Sequence, residues 1–258
     1  MLLPASYANG FAPRDGQPLY PEMWRGCVGA WNPGLGVSGL TLRDQSGFQN
    51  NGTLINGPTW AASGGKYAMS FDGTDDYARV GTATTFNTNS KWTWFAWFNR
   101  STAGVSSVFG DGDGFARVVW SDATSLYVSN DGNSYLLQTF TTSLNAWINI
   151  TLVSRGDSTN VDVYRNGVLN GTYTNGGSFT FRDIGRGYTL YYWAGLIDDV
   201  RIYNRALSPN EIRTLATRRG IAYEMASRRR SSVQVTVAPL RYNLFSGSIG
   251  NTDVIGAS

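Results

Sequence analysis

One continuous stretch decides the fold of this chain, and it is GLIDDVRIYNRALSPNEI at residues 195–212. Its first half alternates two sets of side chains, which is typical of a strand in a packed sheet. Asp198 and Asp199 are neighbours in that strand, so we expect them on opposite faces of the sheet. The second half contains SPNE at 208–211, a capping box with proline at the first helical position. The stretch therefore predicts one strand followed by a short helix near 209–216.

Other short patterns lie upstream in a fixed order. They are RDQSGFQNNGTL at 43–54, MSFDGTDDY at 69–77, WTWFAWF at 92–98, WINITLV at 147–153 and VDVYRNG at 161–167. Together with 195–212, this series resembles laminin-G-like domains of the concanavalin A-like lectin and glucanase group. The resemblance spans roughly residues 24–217 and implies an all-β jelly-roll β-sandwich of two antiparallel sheets. It says much less about function, because one fold supports many activities.

The composition agrees with an all-β domain. Of the 258 residues, 15% are charged and 14% are aromatic, and there are 31 glycines, which favours many strands and tight turns. The single cysteine, Cys27, excludes an intrachain disulfide. Its apolar neighbours predict a buried thiol rather than a reactive one.

The composition changes at both ends, which divides the chain into three parts. Residues 1–23 contain four prolines and no clear periodicity, so they are predicted to form an extended N-terminal arm before the 24–217 sandwich. Residues 218–258 form a basic tail with six arginines against two acidic residues. Within the tail, SVQVTVA at 232–238 alternates as a strand. That strand could lie back along its own domain or extend a sheet of a neighbouring chain.

The tail is the predicted docking region. The residues expected to contact a partner are Arg228, Arg229, Arg230, Val233, Val235 and Val237. Three consecutive arginines followed by a β-pattern do not favour nucleic acid, because nucleic-acid surfaces usually interleave arginines with aromatic residues. The cluster instead suits carboxylates on protein subunits of a larger assembly, or on a homo-oligomer. No stretch has the length of a membrane span.

Catalysis is not expected. The chain contains no histidine, which removes the commonest general base and every Ser-His-Asp or Cys-His scheme. The glucanases of the resembling group place three acidic residues on alternate positions of one strand, as Glu-x-Asp-x-Glu, and no such triplet exists here. Asp111 and Asp113 do alternate, but they lie in a glycine-rich turn without a third partner. We therefore predict a non-enzymatic protein.

The resemblance also implies a structural calcium ion. The carried-over ligands are Asp44, Ser46, Asn50 and one of the closing-strand aspartates, Asp198 or Asp199. Calcium takes six to eight oxygen ligands, often from a loop carboxylate and a second carboxylate brought from elsewhere. The alternative is that Asp44 only caps its own Asp-Gln-Ser-Gly turn by accepting backbone N–H groups.

Exposed aromatic side chains would be needed to bind sugars. The candidate glycan platforms are Trp120, Tyr127, Tyr135 and Tyr192. The alternative is that most aromatic residues fill the core between the sheets, as the alternation in 92–98 indicates. Tyr191 and Tyr192 are expected on opposite faces, so only part of that run can be exposed.

Two functions follow from these features. The flanks, LYPEMWRGC at 19–27 and RRGIAYE at 218–224, resemble stretches of laminin-G-like proteins from bacterial viruses and environmental bacteria. The first hypothesis is a virion surface protein, a capsid decoration or tail-associated subunit that docks through its arms. The second is a free-standing carbohydrate-binding adhesion module at the bacterial cell surface or outside the cell. In the first the interaction energy lies in the arms, and in the second it lies in a loop pocket.

Overall fold

Strands dominate the described chain. The computed structural model describes residues 17–224 apart from 88, 113–116, 121–124, 130–134, 140–141, 158–159, 175–178 and 189. The strands and the α-helix of this part are β1 Cys27–Trp31, β2 Thr41–Leu42, β3 Gly52–Ile55, β4 Thr59–Ser63, β5 Lys66–Asp72, β6 Tyr77–Phe86, β7 Lys91–Arg100, β8 Ser106–Gly110, β9 Arg117–Trp120, β10 Ser125–Ser129, β11 Tyr135–Thr139, β12 Trp147–Arg155, β13 Asn160–Arg165, β14 Val168–Thr174, β15 Phe179–Ile184, β16 Arg186–Gly187, β17 Tyr191–Tyr192, β18 Ala194–Tyr203 and α1 Pro209–Leu215. Short 3-10 helices lie at Pro21–Trp24, Pro33–Leu35 and Ile221–Tyr223.

The strands form two large antiparallel sheets. Sheet A has the order β14-β13-β12-β7-β18-β5-β4, with β1 paired to β18 outside this path. Sheet B has the order β11-β10-β9-β8-β15-β6-β3-β2, and β16 and β17 form a separate small hairpin. The predicted all-β sandwich of two antiparallel sheets is therefore confirmed. The predicted arm and tail boundaries at residues 23 and 217 stay predictions.

Sheet A is buried on both faces. The first core fills the space between the sheets and receives Trp94, Ala96 and Phe98 from β7. The second core lies on the other face of sheet A, where Phe95 and Trp97 of the same strand pack. Each fully buried phenylalanine contributes about 1.5–3 kcal/mol to folding. The nearly continuous apolar run of β7 is thus explained by two cores, one on each face of a single strand.

The second core is closed by the helical segments at the two ends of the described chain. Met23 comes from the first 3-10 helix, Ile212 and Leu215 from α1, and Ile221 from the last 3-10 helix, and all four are buried. Cys27 is buried in the same core, as predicted, and burial raises the pKa of its thiol to about 11. The thiol is therefore protonated at neutral pH.

A β-bulge in β18 overturns one expectation about the deciding stretch. Asp198 lies opposite Trp97 of β7 and Arg201 lies opposite Phe95, so two residues of β18 stand against one residue of β7. Asp199 has a left-handed backbone with φ of 47°. The predicted placement of Asp198 and Asp199 on opposite faces is wrong, because the extra residue shifts the alternation. Both carboxylates instead contact the segment that follows α1.

The bulge holds a buried ion pair that ties both ends of the described chain to sheet A. Arg201 Nε donates to Asp199 Oδ1 at 2.7 Å, and the backbone N–H of Gly220 donates to Asp199 Oδ2 at 2.9 Å. The Arg201 guanidinium lies over the rings of Trp24 at 4.9 Å and Tyr223 at 4.4 Å. Asp199 and Arg201 are both inaccessible to solvent. One ion pair therefore fixes the entry and exit segments on the same face.

The predicted helix is present as α1, with its capping box. The Ser208 hydroxyl accepts a hydrogen bond from the Glu211 backbone N–H at 3.3 Å, and the Ser208 N–H donates to Glu211 Oε2 at 2.8 Å. Glu211 also forms an ion pair with Arg205 at 2.8 Å, which joins the helix start to the loop before it. The predicted end at residue 216 is one residue beyond the observed end of α1.

Several predictions fall on residues that are not described. The extra strand at 232–238 and the docking residues lie outside the described residues, as do positions 1–16 of the predicted arm. The docking residues concerned are Arg228, Arg229, Arg230, Val233, Val235 and Val237.

Breaking the buried pair should destabilise the protein strongly. We expect Arg201→Met to lower the free energy of unfolding by about 3–5 kcal/mol, because it leaves the Asp199 carboxylate buried without its cation. Urea denaturation followed by circular dichroism measures this change. Arg213→Met is the matched control on an exposed arginine of α1 and should change stability by less than about 0.5 kcal/mol. Equal stability of the two variants would show that the Asp199–Arg201 pair does not hold the terminal segments.

Candidate functional site

An open cleft lies where the edge of sheet A meets the edge of sheet B. It is about 330 Å³ in volume. Its walls come from the loop after β1, from the segment that begins with β2, and from β4. Strand β2 is the last strand of sheet B, and β4 is the last strand of sheet A. The lining residues are Asn32, Leu35, Gly36, Val37, Ser38, Leu42, Arg43, Gln45 and Trp60.

Local hydrogen bonds fix the loop that forms one wall. The Asn32 side chain accepts from the Gly34 backbone N–H at 2.6 Å, which starts the 3-10 helix at Pro33–Leu35. The Ser38 hydroxyl donates to the carbonyl of Thr41 and closes the end of the loop. The Trp60 indole N–H donates to the Gly39 carbonyl at 3.0 Å, which joins β4 to the loop. The wall is therefore built by the fold without any ligand.

Two polar side chains of the cleft are exposed and have no partner among the described residues. Leu42 and Asp44 are buried, whereas the alternating residues Arg43 and Gln45 are exposed. Within the described part of the chain, the Arg43 guanidinium and the Gln45 amide make no hydrogen bond or ion pair through their side chains. The half-buried Trp60 packs against the first core with part of its indole exposed. The cleft thus offers an aromatic surface, an amide and a cation to a ligand.

The lining contains no group for acid, base or nucleophilic chemistry. No carboxylate, histidine, cysteine or lysine is among its lining residues. Its single hydroxyl, that of Ser38, is bound to the Thr41 carbonyl. The arrangement can bind a ligand through contact and hydrogen bonds.

Sequence reasoning missed this cleft, although part of its signal was visible. Arg43 and Gln45 lie in the RDQSG stretch, and the alternation of buried and exposed residues over 42–45 could have placed them outward. Trp60 lies in TWAAS, which has no clear alternation. Its proximity to the loop after β1 depends on tertiary packing.

Asp44 has the contacts of a turn cap. Asp44 Oδ1 accepts the backbone N–H groups of Ala30 at 2.8 Å and Ser46 at 2.9 Å. Asp44 Oδ2 accepts the Ser46 hydroxyl at 2.8 Å and the Asn50 N–H at 3.0 Å. Four donors therefore surround this carboxylate, and the Asn50 side chain is bound to the backbone of Thr82. These contacts match the alternative of a capped turn. They do not fit a calcium ion, because the four hydrogen bonds occupy the oxygen lone pairs that the ion would need.

Asp198, the second carboxylate proposed for calcium, belongs to a different network. Asp198 Oδ2 binds Arg219 Nη1 at 3.1 Å, and Oδ1 accepts the Asp199 N–H at 2.7 Å. The Arg219 guanidinium lies 3.9 Å from the centre of the Trp147 ring and donates to the Ser63 carbonyl at 2.5 Å. Burial, followed by the Asp199 charge, raises the pKa of Asp198 to about 7, against the opposing effect of Arg219. Asp198 therefore anchors the segment after α1.

The predicted glycan platforms are distributed over different places. Tyr192 is half-buried in the small hairpin, where its hydroxyl interacts with Arg186. Tyr127 is half-buried in β10. The side chains of Trp120 and Tyr135 lie outside the described residues, so their role stays a prediction.

A charged cluster that the sequence did not predict lies beside Tyr192. Asp183 is buried and binds Arg79 Nε at 2.9 Å and Arg186 Nε at 2.8 Å. The Arg186 guanidinium lies 4.2 Å from the centre of the Tyr77 ring. The cluster joins β6, β15 and β16, and its buried Asp183 carboxylate is paired with two arginines, so we assign it a structural role.

The chain is similar to known proteins of a lectin-like superfamily. The model of the concanavalin A-like lectin/glucanases superfamily matches residues 72–213, which is more than half of the chain. The chain belongs to this superfamily. No curated protein shows a significant sequence match to it.

Solved structures show the same fold at low sequence identity. Domain 4 of AbnA, an extracellular arabinanase from Geobacillus stearothermophilus in complex with arabinotriose, is 18% identical with a TM-score of 0.57, and the match covers 79% of this chain and 100% of that domain. The binding domain of Paraclostridial Mosquitocidal Protein 1 is 15% identical with a TM-score of 0.57, covering 75% of this chain and 52% of that one. Trypanosoma rangeli sialidase is 16% identical with a TM-score of 0.54, covering 74% and 32% respectively. This chain thus matches about half of the toxin domain and a third of the sialidase.

Among the described residues, no helix is long and apolar enough to span a membrane.

Calcium at the Asp44 loop can be tested by chelation. Because four hydrogen-bond donors already surround the carboxylate, we expect the same melting temperature in EDTA and in excess calcium chloride. Differential scanning calorimetry on the wild type and on Asp44→Asn measures it. If calcium raises the melting temperature of the wild type but not that of Asp44→Asn, the calcium site that the resemblance implies would instead be established.

The raised pKa of Asp198 should be visible in the pH dependence of stability. The folded state holds this proton more tightly than the unfolded chain, so the free energy of unfolding falls as pH rises from about 4 towards 7. We expect the melting temperature of the wild type to fall more between pH 5 and pH 8 than that of Asp198→Asn, which has no proton to lose. Asp157→Asn, at an exposed aspartate, is the matched control and should follow the wild type. If the melting temperatures of the wild type and Asp198→Asn change equally with pH, the raised pKa of Asp198 is contradicted.

Proposed function

We propose that this chain is a carbohydrate-binding module that holds glycans in the cleft beside Trp60 without hydrolysing them. The observation that supports it is the combination of a part-exposed indole with the side chains of Arg43 and Gln45, which have no partner in the described part of the chain. Sugar rings present an apolar face to an aromatic ring and hydroxyl groups to amides and charged donors. Membership of a lectin-like superfamily, and a structural neighbour described in complex with arabinotriose, support the same ligand class.

The absence of catalysis is part of the proposal. Carboxylate-pair chemistry needs two acidic groups that can reach a substrate from opposite sides of the scissile bond. Asp198 and Asp199 lie on the same face, but they are buried, and each is bound to an arginine. Asp183 is buried between Arg79 and Arg186 in the same way. The cleft itself has no carboxylate among its lining residues.

The place of action follows from the ligand. A glycan-binding module meets its ligands at a cell surface or outside the cell, so we propose one of these locations. The virion hypothesis depended on the arms, whose docking residues at 228–237 lie outside the described residues. It therefore stays a prediction.

Loss of the indole tests the site. We expect the full-length wild type to bind a subset of an immobilised glycan array, and Trp60→Ala to lose this binding by at least about tenfold in affinity, equivalent to about 1.4 kcal/mol. Trp60→Phe retains a ring and should keep part of the binding. Array binding and isothermal titration with the bound glycans measure both variants.

Controls separate the loss of a platform from the loss of the fold. Phe48→Ala removes another aromatic ring, 66% exposed and outside the cleft lining, and should leave glycan binding unchanged. Circular dichroism and melting temperatures of each variant establish that the sandwich is intact. If the folded wild type binds no glycan, or if folded Trp60→Ala binds as well as the wild type, the proposed function is wrong for this cleft.

A further inference from the structure

We propose that the cleft selects acidic saccharides, and that Arg43 binds the carboxylate or sulfate group of the sugar. This inference rests on the proposed function and adds the class of ligand. It follows from the charge of the cleft, from the position of Arg43 beside Gln45 and Trp60, and from the pairing of seven other arginines with carboxylates of the protein.

The cleft has one charge, and it is positive. Arg43 is the single ionised side chain among the residues that line it. Asp44 is adjacent in sequence, but its buried carboxylate already accepts four hydrogen bonds from within the protein. An anionic group in the cleft would therefore meet a cation without a competing carboxylate in the lining.

Other arginines of the described chain are bound to carboxylates within the protein. These are Arg79, Arg155, Arg186, Arg201, Arg205, Arg218 and Arg219. Arg43, like Arg25 and Arg213, makes no such pair within the described residues, and it differs from those two because it lines the cleft. Its five N–H donors remain available in the planar arrangement that matches two oxygens of a carboxylate or sulfate group.

The neighbours of Arg43 suit the rest of a sugar. Gln45 follows two residues later on the same exposed side, so its amide can donate to or accept from hydroxyl groups next to the acidic group. Trp60 is fixed by its hydrogen bond to Gly39 and offers an apolar surface to the ring. A neutral sugar would use the amide and the indole but would leave the guanidinium without its preferred partner.

Matched ligands test this selection. The wild type is first applied to an array that contains neutral, uronic, sialylated and sulfated glycans. The best acidic ligand is then titrated beside its neutral counterpart, in which the carboxylate is reduced to the alcohol or the sulfate is removed. We expect at least tenfold weaker binding of the neutral counterpart. Comparing carboxylated with sulfated ligands shows which group Arg43 binds.

Variants of exposed arginines assign the effect to one side chain. Arg43→Gln should lower the affinity for the acidic glycan at least tenfold more than the affinity for its neutral counterpart, so that the preference for the acidic ligand is lost. Arg43→Lys keeps the charge without the planar fork and should retain part of the selectivity. Arg25→Gln removes the same charge from an exposed position outside the cleft and should bind like the wild type.

The outcomes separate this inference from the proposed function. If the wild type binds neutral glycans as tightly as acidic ones and needs Trp60 to do so, acidic selection is wrong and glycan binding stands. If Arg43→Gln still prefers the acidic ligand, Arg43 does not select it and the inference is wrong. If no glycan binds the folded wild type, the proposed function itself fails.

Discussion

One extra residue in β18 determines how the rest of the molecule is assembled. Without the bulge at Asp199, strict alternation would place one of the two neighbouring aspartates in the core between the sheets. With it, both carboxylates face the terminal segments, while Ile197 and Val200 remain in the first core. The cost of a left-handed aspartate at φ of 47° is offset by a buried ion pair and by a hydrogen bond from Gly220. The helical layer, and with it the second core, depends on this local irregularity.

That layer restricts where a ligand can bind. Among the described residues, sheet A packs against sheet B on one face and against the helical segments on much of the other. Its edge strand β4 remains accessible, and it meets the edge strand β2 of sheet B beside the loop after β1. The cleft therefore lies at an edge of sheet A and not on either of its two packed faces.

The sequence predicted features that depend on local patterns and missed those that depend on packing. The capping box at Ser208 and Glu211 was predictable because its two hydrogen bonds join residues three positions apart. The bulge at Asp199 was not predictable from the sequence, because the alternation of residues contains no sign of an inserted residue. Trp60 was missed because its partner Gly39 is 21 residues away in sequence. Tyr192 was predicted as a platform, but its hydroxyl interacts with Arg186, whose position depends on the Asp183 cluster.

The placement of charge bears on the proposal that this chain binds glycans without hydrolysing them. The bulge brings Asp198 and Asp199 to one face, a step towards the paired carboxylates that glycoside hydrolysis requires. Each carboxylate is nevertheless buried and bound to an arginine, because an unpaired charge at that depth would cost several kcal/mol. The fold thus uses this acidic pair to hold the terminal segments on sheet A. Arg43, by contrast, is exposed in the cleft and has no internal partner among the described residues. In the proposed function its guanidinium is therefore available to bind a ligand.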